Sequence, residues 1–260
     1  MVKQVQKGLK THLISGAGNT FHIHFTELKV SENLKEITKK ICSEQPADGT
    51  IFLRWKDKAR DQLIWDFFNN DGSDAEMCGN ATRCVGFYVK KILKEPTTKW
   101  HLETVAGQIE IQYYKENQYK VIMTPIIEKK SNLGFFCDTG VPHLILPIDD
   151  FTDYKTKKEM AREFRFHKEF APTGTNVTFV QMLPETDKIN AVSYERGVED
   201  FTFACGTGAA AAAFYNFKTR HCSLTEVSMP GGKLTFDLTN LQKPIMIGPA
   251  ELKGEFTFKV

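Results

Sequence analysis

Nowhere in this 260-residue chain does an apolar run approach the roughly 18 residues that a membrane-crossing helix needs, so no such helix is expected. The opening stretch, Met1 to Phe25, mixes lysine, glutamine and histidine with short apolar pieces. It lacks the apolar core of a secretory leader, which points to a cytoplasmic protein. Charge of one sign is scarce too: 34 Lys and Arg stand against 32 Asp and Glu, a formal net charge of +2. That balance leaves no electrostatic footprint for nucleic acid or an anionic membrane. Among the six cysteines, at 42, 78, 84, 137, 205 and 222, there is no CxxC pair and no CxxC…HxxxH spacing. The interval from Cys78 to Cys84 is too long for a zinc knuckle, so no metal site is expected. Their wide, irregular placement, in a chain large enough to bury its own core, does not read as a disulfide scaffold. The glycine-rich loops also lack the Lys-Ser/Thr ending of a P-loop.

What the chain does have is a pair of stretches that look like copies of one another. The first is Asp71-Gly-Ser-Asp-Ala-Glu-Met-Cys-Gly-Asn-Ala-Thr-Arg-Cys84, and the second runs from Arg196-Gly-Val-Glu-Asp through Ala204-Cys-Gly-Thr-Gly208 to Ala213. In each, an acidic turn leads to a cysteine, then to glycine and a small polar residue, and then to a helical run. A helix that begins just after a cysteine leaves its first N–H groups outside the helical ladder and places partial positive charge beside the sulfur. That setting is expected to lower the thiol pKa of Cys78 and Cys205. The small residues that follow let an anion approach the N–H groups of Gly79, Asn80 and Ala81, or of Gly206, Thr207 and Gly208. Two such stretches suggest a pair of thiols facing one small anionic substrate.

The order of elements repeats as well. Strand-like runs at Lys10 to Ile14 and Phe21 to Phe25 flank Ser15-Gly-Ala-Gly-Asn-Thr20, a tight loop that could present Asn19. A helix is predicted over Ser31 to Ser43 behind a Ser31 cap, with Glu32 in its first turn. Strands follow at Thr50 to Trp55 and Asp61 to Phe68, and then a helix from Ala81 to Lys94, stopped by Pro96. Strands come next at Trp100 to Thr104, Gln108 to Tyr114 and Tyr119 to Met123. After Thr124-Pro125 the sequence starts again. Strands at Phe135 to Asp138 and Leu144 to Pro147 flank Thr139-Gly-Val-Pro-His143. A helix at Thr156 to Phe164, strands at Asn176 to Met182 and Ile189 to Glu195, and the second cysteine helix follow. The remainder reads as strands at Glu226 to Met229, Lys233 to Leu238, Pro244 to Gly248 and Glu255 to Val260, with Gly231-Gly232 as a turn. Ala209 to Ala213 leave the second helix with almost no polar face, as a helix buried on all sides requires. The expected fold class is therefore α/β (α+β): two pseudo-symmetric domains, each a mostly antiparallel sheet or barrel wrapped around a central helix. Residues 1–123, joined by a last strand at 249–260, form one, and 124–248 the other.

Taken together, Asn69-Asn-Asp-Gly72, Cys78-Gly-Asn-Ala-Thr-Arg-Cys84, Tyr194-Glu-Arg-Gly-Val-Glu-Asp200, Ala204-Cys-Gly-Thr-Gly208 and Met229-Pro-Gly-Gly232 strongly resemble the diaminopimelate epimerase family. Gly16-Ala-Gly-Asn-Thr-Phe21, Ala47-Asp-Gly49, Thr139-Gly-Val-Pro-His143 and Thr175-Asn176 add to the match, which runs nearly end to end. The resemblance implies a cofactor-independent epimerase that interconverts LL- and meso-diaminopimelate, in lysine and peptidoglycan precursor synthesis. It implies an active site in a cleft between two similar domains, and a homodimer. Carried over by position, Cys78 and Cys205 are the acid and base. Asn19, Asn69, Asn176 and Arg196 hold the substrate, Arg196 at the distal carboxylate. Glu195 meets the amino group, His143 helps set the thiols' protonation, and the backbones of Gly79, Asn80, Gly206 and Thr207 bind carboxylate.

Two positions depart from the family pattern: Val141 stands where many relatives carry asparagine, and Phe201 where an acidic residue is more usual. Both bear on substrate specificity. Other readings of the same residues are a racemase or isomerase of another small amino acid on the same fold, a thiol hydrolase or transferase using Cys205 with His143, and a non-catalytic phosphate or nucleotide binder using the glycine loops. A hydrolase needs one essential thiol and a binder needs none, whereas two thiols suit inversion at carbon.

Overall fold

The computed structural model describes residues 8–26, 33–75, 77–105, 107–184 and 186–259. In chain order these form β1 (Leu9–Gly16), β2 (Asn19–Phe25), α1 (Leu34–Glu44), β3 (Gly49–Trp55), β4 (Gln62–Asn69), α2 (Gly79–Phe87), β5 (Lys99–Thr104), β6 (Gly107–Lys115) and β7 (Gln118–Ile122). There follow β8 (Ile127–Lys129), β9 (Phe135–Asp138), β10 (Pro142–Pro147), α3 (Lys158–Arg165), β11 (Asn176–Met182) and β12 (Lys188–Glu195). The chain ends with β13 (Asp200–Phe201), α4 (Gly206–Arg220), β14 (Leu224–Met229), β15 (Gly232–Asp237), β16 (Ile245–Pro249) and β17 (Glu251–Phe258). The expected Ser31 cap, with Glu32, lies outside the described residues. Helix α1 itself starts at Leu34 behind Asn33.

The chain divides into two units, Met1–Val121 with Pro249–Val260, and Ile122–Gly248. In the first, strands pair in the order β17-β1-β2-β3-β4-β5-β6-β7, antiparallel except for β2 with β3 and β4 with β5. In the second, the order is β8-β9-β10-β11-β12-β14-β15-β16, antiparallel except for β10 with β11 and β12 with β14. The two patterns coincide strand for strand. Parallel neighbours need a crossover, and the helices supply it: α1 and α3 bridge the first parallel pair of their unit, α2 and α4 the second. The fold is thus mixed α/β and strand-rich.

Each cysteine helix is the core of its unit. Ala81, Cys84 and Val85 of α2 pack among Ile14, Phe21, Ile23, Ile51, Trp100 and Ile111, and every residue from Asn80 to Phe87 is buried. The helix does not continue as α to Lys94; it passes into a π turn over Tyr88–Ile92. There Lys90 Nζ donates to the carbonyls of Glu95, Pro96 and Thr97, which anchors the chain at Pro96 where the helix was expected to stop. Helix α4 touches β9, β10, β11, β12, β14 and β15, and Ala209 to Ala213 are wholly buried. Alanine is what lets the strands come this close. Ala211→Leu is accordingly expected to cost about 1–3 kcal/mol through overpacking, read as a lower midpoint in urea. An unchanged midpoint would show slack around α4 that the burial does not suggest.

Two strands escaped the sequence pattern. β8 has three residues, all exposed, and β13 only two, both half-buried, so neither shows the alternation that marks a half-buried strand.

Candidate active site

In the first unit, β2 and β3 begin and β4 ends at Asn19, Gly49 and Asn69, and Gly49 is paired with Phe21 and with Asn69. From Asn69 the chain turns through Asp71, whose carboxylate accepts from Ser73 N–H at 2.8 Å and Ser73 Oγ at 2.6 Å. Asn69 itself donates Nδ2 to Ser73 Oγ at 2.9 Å. The turn leads to Cys78, extended at φ −128° and ψ 121°, as the residue preceding α2. The first backbone bond of the helix is Thr82 N–H to Cys78 O at 2.9 Å. The N–H groups of Gly79, Asn80 and Ala81 therefore precede the ladder. Asn80 is buried, and its Nδ2 donates to Asn19 Oδ1 at 2.6 Å. Asn19, Cys78, Gly79 and Asn80 form one corner, with Asn69 further along the turn.

The second unit has the same plan. β10 and β11 begin and β12 ends near His143, Asn176 and Glu195; His143 is paired with Asn176 in the parallel ladder. Cys205, at φ −129° and ψ 102°, precedes α4, whose first backbone bond is Ala209 N–H to Cys205 O at 2.9 Å. Here the sulfur is deeply engaged. Gly208 N–H donates to Cys205 Sγ at 3.3 Å and Thr207 Oγ1 lies 3.4 Å from it, while Ser193 and the Glu195 carboxylate act on the thiol electrostatically. One correction follows: Gly208 N–H is spent on the thiol, so only Gly206 and Thr207 keep N–H groups ahead of the ladder.

His143 is wholly buried. Its Nδ1 lies 3.0 Å from Thr178 Oγ1, and its Nε2 lies 3.1 Å from Thr207 Oγ1 and 3.3 Å from Asn176 Nδ2. It reaches Cys205 through Thr207 rather than directly. Asn176 Oδ1 accepts from Arg196 N–H at 2.7 Å, while the Arg196 side chain is exposed. The loop that carries Arg196 is held from behind, because Glu199 Oε1 accepts from Gly197 N–H at 3.0 Å and from Arg165 Nη2 at 3.0 Å. Glu195 also accepts from Thr202 Oγ1. The structure thus gathers His143, Asn176, Glu195, Arg196, Cys205, Gly206 and Thr207 in this unit.

The electrostatics correct a second expectation. A helix N-terminus lowers a thiol pKa, yet Cys205 is pushed up from its ordinary value, chiefly by burial and then by the Glu195 carboxylate; the bonds from Thr207, Gly208 and Ser193 only partly oppose this. Desolvation of the anion outweighs the dipole, and Cys205 rests as a thiol. Burial likewise raises Glu195, with Thr202 and the Cys205 thiol working the other way. Burial pushes His143 down to about 3, so its ring is neutral.

A stability effect follows from that shift. The unfolded histidine binds its proton near pH 6.5 and the folded one near 3, so the stability present above pH 6.5 is lost as the pH falls through that window. At about 1.4 kcal/mol per pH unit, the loss approaches the order of 4 kcal/mol by pH 3. His12 and His22, also lowered by burial, add in the same direction. Thermal melts of the protein and of His143→Gln between pH 7 and 4 check this, with a shallower slope expected for the variant. Parallel slopes would show that His143 is solvated.

A family model described as diaminopimelate epimerase matches residues 15–127 and 135–253. The chain belongs to the diaminopimelate epimerase family. A protein named diaminopimelate epimerase from Aquifex aeolicus (strain VF5) is 36% identical to it, covering 90% of this chain and 91% of its own. One of the same name from Chlamydia muridarum (strain MoPn / Nigg) is 34% identical, covering 78% and 76%. Among solved structures, a phenazine biosynthesis protein of the PhzF family from Bacillus anthracis aligns with a TM-score of 0.78 at 16% identity, over 98% of this chain and 100% of that one. A hydroxyproline epimerase from Agrobacterium vitis aligns at 0.69 with 14% identity, over 98% and 94%. At such identities these structures establish the fold alone.

Sequence reasoning passed over several residues that the structure builds into the two corners. Arg83 lies inside the Cys78 to Cys84 motif, where the resemblance assigns it no role. Thr178 and Ser193, both wholly buried, lie opposite each other on β11 and β12 with their hydroxyls 2.9 Å apart. Polar residues in the middle of apolar strands were the available signal, since a buried hydroxyl needs a partner.

Proposed function

We propose that this member of the diaminopimelate epimerase family interconverts LL- and meso-2,6-diaminopimelate with Cys78 and Cys205 acting on opposite faces of one α-carbon. The observation that carries this is the placement of the two cysteines. Each precedes the central helix of its unit, at the same point in two strand patterns that coincide. One thiolate removes the α-proton, and the thiol on the other side delivers a proton to the opposite face, so the thiolate and thiol exchange roles in each turnover. Cys205, held beside the Glu195 carboxylate, starts as the thiol. In the direction that uses this resting state, Cys78 is the base.

The carbanion needs stabilising, and the N–H groups of Gly79 and Asn80, and of Gly206 and Thr207, are suited to hold the α-carboxylate as charge develops. Arg196 receives the distal carboxylate, for which a guanidinium fork is shaped. Glu195 receives the amino group, and Asn19, Asn69 and Asn176 complete the binding. Neutral His143 braces Thr207 and Asn176. The proton transfers use side chains alone and call for no cofactor or metal. Val141 leaves one side-chain contact fewer than an asparagine would give. A place in lysine and peptidoglycan precursor synthesis, a cytoplasmic location and a homodimer belong to the same proposal.

A Cys/His hydrolase is disfavoured because the ring nitrogens of His143 meet Thr178, Thr207 and Asn176, not the thiol. Proton NMR of LL-diaminopimelate with reduced enzyme in D2O tests the proposal. Loss of the α-proton signal with appearance of the meso isomer is expected. A folded, reduced sample that leaves the signal unchanged rejects this substrate.

A further inference from the structure

Arg83 takes no part in the chemistry above, yet it is among the largest side chains with no exposure to solvent. Its guanidinium ties together three segments of the first unit. Nη2 donates to Asn80 Oδ1 at 2.7 Å and to Gly16 O at 3.2 Å, Nη1 to Gly79 O at 3.3 Å, and Nε to Pro249 O at 3.3 Å. Gly16 comes so near α2 that a Cβ there would sit 2.6 Å from Asn80 O. The loop carrying Asn19 and the start of the cysteine helix are therefore locked against each other around this cation.

The chemistry of the donors adds a direction to the lock. A guanidinium only donates, whereas an amide has one accepting end and one donating end. Arg83 therefore requires the oxygen of Asn80 to face it. The NH2 of Asn80 then faces Asn19 and requires the oxygen of Asn19 in turn, at 2.6 Å. The end of Asn19 turned away from Asn80 and toward a ligand is then its NH2. We propose that Arg83 is a positioning residue that sets the polarity of the Asn80–Asn19 amide relay, so that Asn19 presents a donor, and not an acceptor, to a substrate carboxylate. The proposal rests on Asn19 being a substrate ligand. Without a donor-only group behind it the relay can reverse, and Asn19 would then turn a carbonyl oxygen toward an anion.

Three variants test this by steady-state kinetics and thermal melts alongside the unaltered enzyme. Arg83→Met, close in volume, removes the donor; KM is expected to rise about thirtyfold with kcat changed less than threefold, the pattern of a lost binding contact. Arg83→Lys still only donates, and is expected to restore most of the affinity. Asn80→Asp separates polarity from packing. Its carboxylate pairs with Arg83 and so holds or raises the melting temperature, but it can only accept from Asn19, which reverses the relay and raises KM as much as Arg83→Met does. A purely structural arginine predicts the opposite, with KM following melting temperature across the three. A folded Asn80→Asp with unchanged KM overturns the proposal, as does a lysine variant no better than the methionine one. If the unaltered enzyme itself shows no epimerisation, the failure lies in the proposed function and not in Arg83.

Discussion

Cys78→Ala and Cys205→Ala are each expected to lower the rate of epimerisation by about 10^4-fold, with the fold intact by circular dichroism. Positioned acid or base catalysis contributes roughly 10^2 to 10^4, and inversion needs both partners in the same turnover. Losing either removes a whole proton transfer, so the double variant should be hardly worse than the single ones. Neither side chain carries much of its unit's stability. Cys78 is half-buried at the edge of its core, and Cys205 interacts mainly with polar groups. Inversion of LL- to meso-diaminopimelate, followed by NMR, gives the answer. A single variant that keeps a tenth of the activity would end the two-thiol mechanism and reopen one with a single essential cysteine.

Gly208→Ala should do nearly as much damage without touching a reacting atom. A Cβ there would collide with Ser193 Oγ, and would lie 3.2 Å from both Cys205 Sγ and His143 Cε1. None of these can simply step aside. Ser193 Oγ is bonded to Thr178 Oγ1 at 2.9 Å, and Thr178 in turn holds His143 Nδ1 at 3.0 Å. Helix α4 is enclosed by strands, so it cannot retreat either. The expected result is a loss of about 10^3-fold in kcat/KM, since displacement of about 1 Å can cost two orders of magnitude and both the thiol and its brace move here. A stability cost of about 1–3 kcal/mol accompanies it. Gly107→Ala is the control: among the described residues nothing lies within 4 Å of its added Cβ, but its φ of +104° strains any other residue. It should lose stability and keep its kcat. If Gly208→Ala keeps full activity, the packing around Cys205 is looser than the distances say.

The two cysteine helices were legible because their signals are local. The acidic turn, the cysteine, the glycine and the helical run occupy a single short stretch each, so no knowledge of distant residues was needed. The alanine run announced a helix buried on every side, and the repeated order of elements announced two similar units. The lapses came where a property depends on surroundings. β8 and β13 are too short to show a period, and the last turns of α2 became a π turn under the pull of contacts beyond it. Arg83 drew no reading, because nothing in its neighbours says which side of α2 will face the carbonyls of Gly16 and Pro249.

By itself, then, the sequence determined the family and the α/β class, and it pointed to the two cysteines on which the proposed chemistry rests, since composition, turn chemistry and helix starts act over a few residues. Only the tertiary structure decided the state of those residues. It placed His143 against Thr178 and Thr207, which are 35 and 64 positions away, and it kept the ring neutral. It raised the Cys205 thiol where the helix dipole alone would have lowered it, and it put a cation beneath Asn80 to orient an amide relay. Desolvation and hydrogen-bond direction depend on which groups surround an atom in space, and the packing of distant strands around each helix is what brings those groups together.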